Sequence, residues 1–219
     1  MISNKNISEV LDRIERSIKE FSIPVVTYFK NVSASPFQIL ISTILSLRTK
    51  DDVTKDASLR LFTLAKTPNE ILRLSPEVIQ KAIYPVGFYK NKTKSIIEIS
   101  RILLEKYKGK VPNDLDELLL LPGVGRKTAN LVLTEAFDIP AMCVDVHVHR
   151  ISNRFGYIKT KDPLESEFAL RKKLPIKHWN KYNLLLVTFG QNICKPISPY
   201  CSRCPINQEC SRVGVQKSR

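Results

Sequence analysis

Apolar residues in this chain return every third or fourth position, and prolines and glycines cut that rhythm into helix-length pieces. Ile7, Leu11, Ile14, Ile18 and Phe21 share one face, with Asn6 placed to cap the segment and Glu9 three residues on. After Pro36, residues Phe37, Leu40, Ile41, Ile44 and Leu45 repeat the pattern. Further helical stretches are predicted over 54–64, 69–74, 76–82, 92–106, 115–121, 126–136, 147–155, 165–174 and 178–190. The breaks fall at Pro24, Pro68, Pro76, Pro85 with Gly87, Gly109 to Pro112, Pro122 to Gly125, Pro140, Pro163 and Pro175. No run alternates with period two between hairpin turns, and 7 glycines are too few to turn the corners of an all-β fold. The expected class is all-α.

The chain has 219 residues, of which 43% are hydrophobic, enough to bury a real core in one large domain or two small ones. No apolar run reaches the length of a membrane span, and the first residues carry no signal-peptide hydrophobic region, so no membrane association and a cytoplasmic setting are expected. The formal net charge of +14 points to a polyanionic partner. The charge is uneven: Lys90 to Lys110 holds seven Lys/Arg against two Glu, whereas Asp114, Asp116 and Glu117 form an acidic patch. A binding face explains that asymmetry better than a uniformly solvated surface does.

Four of the five cysteines, Cys194, Cys201, Cys204 and Cys210, crowd the tail with C-x6-C-x2-C-x5-C spacing. In a cytoplasmic chain such a cluster reads as metal ligands rather than disulfides. Spacing alone favours zinc, but iron–sulfur centres also use four thiolates, so both stay open. Cys143 stands apart in an apolar stretch and reads as a small core residue.

Two internal motifs carry the chemistry. In LPGVGRKTAN (Leu121 to Asn130), Pro122 ends one helix, Gly123, Val124 and Gly125 turn, and a new helix opens near Arg126. Backbone N–H groups at such an opening can hold a phosphate. Lys127 sits there against the helix macrodipole, which disfavours a cation by about 0.3–1 kcal/mol. That is well short of what holds an amine uncharged at neutral pH, so desolvation or a nearby base must supply the rest. Asp145, in VDVHVHR (Val144 to Arg150), is the candidate base and also a natural helix N-cap. His147 and His149, two residues apart, do not share a helix face and make poor joint metal ligands. A fainter echo of the first motif, YPVGFYKNKT (Tyr84 to Thr93), again sets a Pro/Gly turn before a basic helix start; Pro-Gly turns join many helices, and coincidence explains the likeness equally well.

Taken in order, LPGVGRKTAN, VDVHVHRISNR and the cysteine tail resemble endonuclease III, the helix–hairpin–helix DNA glycosylase/AP lyase family, over nearly the whole chain from about Ile7 to Cys210. YPVGFYKNK resembles its archaeal and eukaryotic branch more than the usual bacterial one. The resemblance implies two lobes: a six-helix barrel over 29–139 containing the helix–hairpin–helix at about 113–137, and a lobe of 1–28 plus 140–219 carrying a 4Fe-4S cluster, with a DNA cleft between them. It implies Lys127 as nucleophile, Asp145 as catalytic carboxylate, and Cys194, Cys201, Cys204 and Cys210 as cluster ligands. DNA contacts are expected from Arg48, Gly123, Val124, Gly125, Arg126, His147 and Lys195.

The implied activity is base-excision repair: removal of oxidised pyrimidines from duplex DNA and strand cleavage through a lysine Schiff base. The implied partner is double-stranded DNA with damaged pyrimidines or abasic sites, bound by a monomer in a prokaryotic, archaeal cytoplasm close to the nucleoid. Arg48 stands where the family usually has Gln, at the position implied to fill the gap left by an extruded nucleotide. The loop from Cys194 to Cys201 has only Lys195 where relatives carry several basic residues, with Arg203 and Arg212 available to compensate. The alternatives are a monofunctional glycosylase acting on mismatched adenine or thymine, against which Lys127 itself argues, and a non-enzymatic DNA-binding module with zinc in the tail.

Overall fold

The computed structural model describes residues 1–219. It is all-helical, with 60% of residues in helix and no strand. In chain order the helices are α1 (Ile7–Ser17), α2 (Val25–Asn31), α3 (Pro36–Ser46), α4 (Asp51–Leu64), α5 (Pro68–Leu72), α6 (Pro76–Ile83), α7 (Tyr89–Tyr107), α8 (Leu115–Leu119), α9 (Arg126–Phe137), α10 (Val146–Arg154), α11 (Pro163–Lys173) and α12 (Trp179–Asn192), with short 3-10 turns at Ile176–His178 and Cys201–Arg203. They fall into two compact units, Val25–Ile139 and Met1–Pro24 with Pro140–Arg219.

The Val25–Ile139 unit is built around α3. Residues Phe37 and Ile39 to Leu45 of this helix are all buried, and α2, α4, α7 and α9 pack around it. A helix that is apolar on every side has to be central. Ser35 starts it: its hydroxyl accepts from the Gln38 N–H and the Gln38 side chain accepts in return from the Ser35 N–H. Thr67 and Glu70 repeat this capping box at α5. Each such cap contributes about 1 kcal/mol. Val25 opens this unit because α2 packs on α3, α4 and α9. The apolar rhythm does not predict this short helix, which shows only Val25, Val26 and Phe29 to the core.

The other end of α3 is closed in a less common way. Its last carbonyls lack partners within the helix and carry the negative end of the macrodipole. The buried Lys92 side chain, from α7, reaches them: Nζ donates to the Leu45 carbonyl at 2.9 Å, to the Leu47 carbonyl at 2.5 Å and to Thr49 Oγ1 at 3.2 Å. No carboxylate shares this site among those contacts, and desolvation pushes the Lys92 amine down to about 8. Helix α7 starts three residues earlier than the apolar pattern indicated. Its N-cap, Phe88, adopts a left-handed φ of 58° and makes no side-chain cap bond, so no standard start signal marks it.

In the other unit, α1 and α10 pack on α12. Ile7, Val10, Leu11 and Ile14 meet a core that includes Val148, Ile151, Tyr182, Leu186 and Phe189. Asn6 occupies the N-cap position of α1 but makes no cap bond; its carboxamide oxygen accepts instead from the Ser3 N–H at 2.8 Å. Arg13 ties α1 to the tail through Glu209 at 2.5 Å and through the Pro205 carbonyl.

The Lys92 amine yields a stability prediction with a definite sign. The unfolded amine titrates near its ordinary value of about 10.4. Between pH 8 and that value the unfolded chain therefore binds more protons at this position than the native one does. Native stability, measured against Lys92→Met by denaturant unfolding, should rise across that window and stay level below it, at no more than about 1.4 kcal/mol per pH unit. A difference independent of pH would mean the amine is not desolvated.

Candidate DNA-repair site

The hairpin motif lies entirely in the Val25–Ile139 unit. Asp114 caps α8 by accepting from the Asp116 and Glu117 N–H groups at 2.9 and 3.1 Å, which accounts for part of the acidic patch. Lys106 Nζ and Tyr107 Oη both donate to the Glu117 carboxylate, fastening α8 to the end of α7. After α8 the chain turns, and the Val124 N–H donates to the Leu121 carbonyl at 3.1 Å.

The two hairpin glycines differ. Gly123 has a φ of +81°, and a Cβ there would meet Ser95 Oγ of α7 at 3.3 Å, so both conformation and space call for glycine. Gly125 has an ordinary φ of −96° and a Cβ there would meet nothing within 4 Å. The fold does not require glycine at 125. Its effect is to leave the start of α9 without a capping side chain and open to close approach. Arg126 and Lys127 form the first turn of α9, both half-buried, and the helix is buried from Thr128 to Glu135.

Arg48 occupies the turn after α3. It is exposed, has a left-handed φ of 54°, and places its guanidinium 5.6 Å from the centroid of the Phe88 ring. Sequence reasoning missed Phe88, which is 60% exposed, a rare setting for a large aromatic.

Asp145 belongs to the other unit and is the N-cap of α10. Its Oδ1 accepts from the His147 and Val148 N–H groups, each at 2.9 Å. The capping role is thus real, and it fixes the carboxylate in place. The histidines diverge, as their two-residue spacing requires. His147 Nδ1 lies 3.2 Å from Arg150 Nη2. His149 Nδ1 lies 2.7 Å from Ser166 Oγ, in a network with Thr160 and Asn153.

Arg150 links α10 to the cysteines. Its Nη2 also donates to the carbonyls of Gly190 at 3.4 Å and Cys194 at 2.9 Å. One turn on, the buried Arg154 donates to Cys194 Sγ at 3.3 Å and to the carbonyls of Lys195 and Pro196 at 2.7 and 3.0 Å. The packing is close enough that Gly190 has no room for a side chain: a Cβ there would stand 2.6 Å from His147 Nδ1 and 2.9 Å from Ile151 Cδ1.

Cys194, Cys201, Cys204 and Cys210 all line one small cavity, walled by Ile193, Pro199 and Tyr200. Burial pushes the Cys204 thiol up to about 11 and moves Cys210 in the same direction. No three His, Cys, Asp or Glu side chains gather tightly enough to hold a metal ion. Cys143 is buried elsewhere in the core. Outside the cavity, Lys195, Arg203 and Arg219 all stand over the Tyr200 ring, at 5.4, 5.9 and 4.7 Å from its centroid. Arg219 was not foreseen in that group, since nothing local in the sequence folds the tail back. Arg212 turns away to Asn207 Oδ1 at 2.5 Å.

A helical fold with a glycine-capped hairpin, a lysine behind it and a four-cysteine tail defines a class. Residues 41–176 match the HhH-GPD superfamily of base excision DNA repair proteins. Within that superfamily the chain belongs to the endonuclease III family. It is 49% identical to endonuclease III of Thermotoga maritima over 88% of this chain and 92% of the relative, and 37% identical to that of Bacillus subtilis over 100% and 97%. A solved structure of a trapped endonuclease III–DNA covalent intermediate superposes with a TM-score of 0.85 at 35% identity, covering 97% of each chain. These relatives are bacterial, and the archaeal placement finds no support in them.

Gly190→Ala should lower stability by about 1–3 kcal/mol despite the better helix propensity of alanine, because the new methyl group collides with α10. Thermal unfolding of the full chain checks this; an unchanged or raised midpoint would show that α10 and α12 have slack between them.

Proposed function

We infer that the chain is a base-excision repair DNA glycosylase/AP lyase acting on damaged duplex DNA. The observation that carries this reading is Lys127 in the first turn of a helix whose cap is a glycine, in a chain 49% identical to an endonuclease III. The finer proposal is that it removes oxidised pyrimidines. The damaged nucleotide leaves the stack, since its glycosidic bond is unreachable inside the duplex. The α9 N-terminus, with Gly123, Val124, Gly125 and Arg126, holds a backbone phosphate.

The Lys127 amine attacks C1′ with its lone pair. The C1′–N bond breaks and the base departs with a proton. Asp145 takes or relays the proton lost by the amine and stabilises positive charge on the sugar. The sugar ring then opens: the C1′–O4′ bond breaks, O4′ takes up a proton, and the nitrogen lone pair forms a protonated imine that acidifies the C2′ hydrogen. Removal of that hydrogen expels the 3′ phosphate oxygen and cuts the strand. A relative trapped as a covalent intermediate with DNA supports this order of events. His147, Lys195, Arg203 and Arg219 are further proposed phosphate contacts, and Arg48 is proposed to fill the vacated space in the duplex. The setting we propose is the cytoplasm, beside the chromosome; no helix is long and apolar enough to cross a membrane.

The four tail cysteines are proposed to hold the 4Fe-4S cluster that membership of the endonuclease III family implies. All four border one cavity, and four thiolates are a ligand set that such a centre takes. Arg154 Nη1 at Cys194 Sγ and the Arg212 N–H at Cys210 Sγ supply the hydrogen bonds that thiolate ligands of such a centre use. When bound, the cluster would brace the tail, with no open position for hydrolysis.

Borohydride should trap a covalent adduct between the wild-type chain and an abasic duplex, and Lys127→Gln should form none. Asp145→Asn keeps a good capping side chain, so its melting temperature should stay close to wild type while base release falls by about 10²-fold or more. Adduct formation by the Gln variant, or full turnover by the Asn variant, would remove that residue from the chemistry. Purified protein should be yellow-brown with about four irons per chain, and Cys204→Ser should bleach it; a colourless protein with one zinc per chain would overturn the cluster assignment.

A further inference from the structure

Lys92 stands in none of the roles above, although it is buried at 8% exposure in a chain whose other lysines are more exposed. Its amine gathers the Leu45 and Leu47 carbonyls and Thr49 Oγ1, which bracket Arg48 on both sides. Thr49 Oγ1 in turn accepts from the Gly87 N–H at 3.1 Å. A Cβ on Gly87 would come within 2.7 Å of the Arg48 carbonyl oxygen, so the two turns touch backbone to backbone. Both turns carry a non-glycine residue in the left-handed region, Arg48 at 54° and Phe88 at 58°. These are the two residues whose side chains face each other across the exposed surface.

The same helix reaches the hairpin. Ser95 lies three residues after Lys92 on α7, on the same helix face and about 4.5 Å further along the axis. Its side chain is what a Cβ on Gly123 would strike. One face of α7 therefore supports the Arg48 turn at Lys92 and the hairpin ahead of Lys127 at Ser95.

We propose that Lys92 is a positioning residue: it holds the Arg48–Phe88 pair in register with the hairpin, so that Arg48 enters the duplex where the nucleotide has left. This rests on the reading of Arg48 given above. Lys92 does not touch DNA; it acts through the two carbonyls and the Thr49 hydroxyl. A residue that only stabilised the fold would change activity on every duplex by the same factor. A positioning residue changes the dependence on the base opposite the lesion, because Arg48 is the group facing that base.

The experiment uses the full chain carrying its metal centre, and four duplexes with one abasic site opposite each of the four bases. Turnover is measured for wild type, Arg48→Ala, Lys92→Met and the double variant. Lys92→Met should lower turnover opposite the preferred base by about tenfold, within the range of couplings inside one hydrogen-bond network. It should also flatten the opposite-base profile toward that of Arg48→Ala, and add less than about twofold on top of Arg48→Ala. Thr49→Val breaks the same network from the other side and should flatten the profile too; it serves as the test should Lys92→Met not fold. Additive effects of Lys92→Met and Arg48→Ala, or a uniform loss across the four duplexes, would overturn the proposal. Borohydride trapping of the wild-type chain separates the two levels: no adduct means the lyase reading fails, whereas an adduct with additive variants means only the role of Lys92 fails.

Discussion

The N-terminus of a helix presents unpaired N–H groups and a partial positive charge, and both candidate catalytic side chains in this chain are placed by how such an end is closed. At α10 the closure is internal: Asp145 spends one carboxylate oxygen on two N–H groups. At α9 the cap residue is Gly125, with no side chain to offer and open space where one would be. Helices α3, α5, α6, α8 and α11 are capped by Ser35, Thr67, Ser75, Asp114 and Asp162, whereas α1, α4, α7 and α12 share with α9 the lack of a side-chain cap bond; at α9 the cap position also holds a glycine. An end left open in this way suits an anion from outside the chain. A bound phosphate would also offset the unfavourable position of Lys127 at a positive helix end, so the ligand itself completes the electrostatics of the site.

Much of this was legible in the sequence because the signals are local. Proline and glycine fix where helices stop, an aspartate just ahead of a helical stretch reads as a cap, and cysteine spacing marks side chains that here line one cavity. What escaped was decided by tertiary contact. The start of α7 was hidden because Phe88 enters it in a left-handed conformation that no cap preference encodes. Arg219 joins Lys195 and Arg203 around Tyr200 only because its N–H pairs with the Pro199 carbonyl, bringing the tail back over the loop.

Lys92 is the instructive miss. It lies in the most basic stretch of the chain and reads there as one more solvated charge. Yet Lys92, Ile96, Ile99 and Leu103 follow one another at intervals of four, three and four, and all are buried. The helical period placed this lysine on the apolar stripe. A charged residue in register with a core face is a buried polar group waiting for its partners, and here they are the carbonyls ending α3.

Those carbonyls explain how the arginine at position 48 is held in a defined place. A left-handed conformation costs a non-glycine residue roughly 1–2 kcal/mol, and it persists only where the surroundings over-determine it. Here the turn is held from three directions: the helix dipole of α3 draws in the ammonium, Thr49 joins that ammonium to the neighbouring turn, and Gly87 lets the two backbones meet. The long guanidinium side chain then rests over Phe88 instead of sweeping through solvent. Arginine has much rotamer freedom to lose on ordering, so a prepared aromatic surface matters for it. The arginine at 48 and the exposed ring at 88 thus form one physical unit, and the buried lysine beside them contacts the turn that carries the arginine.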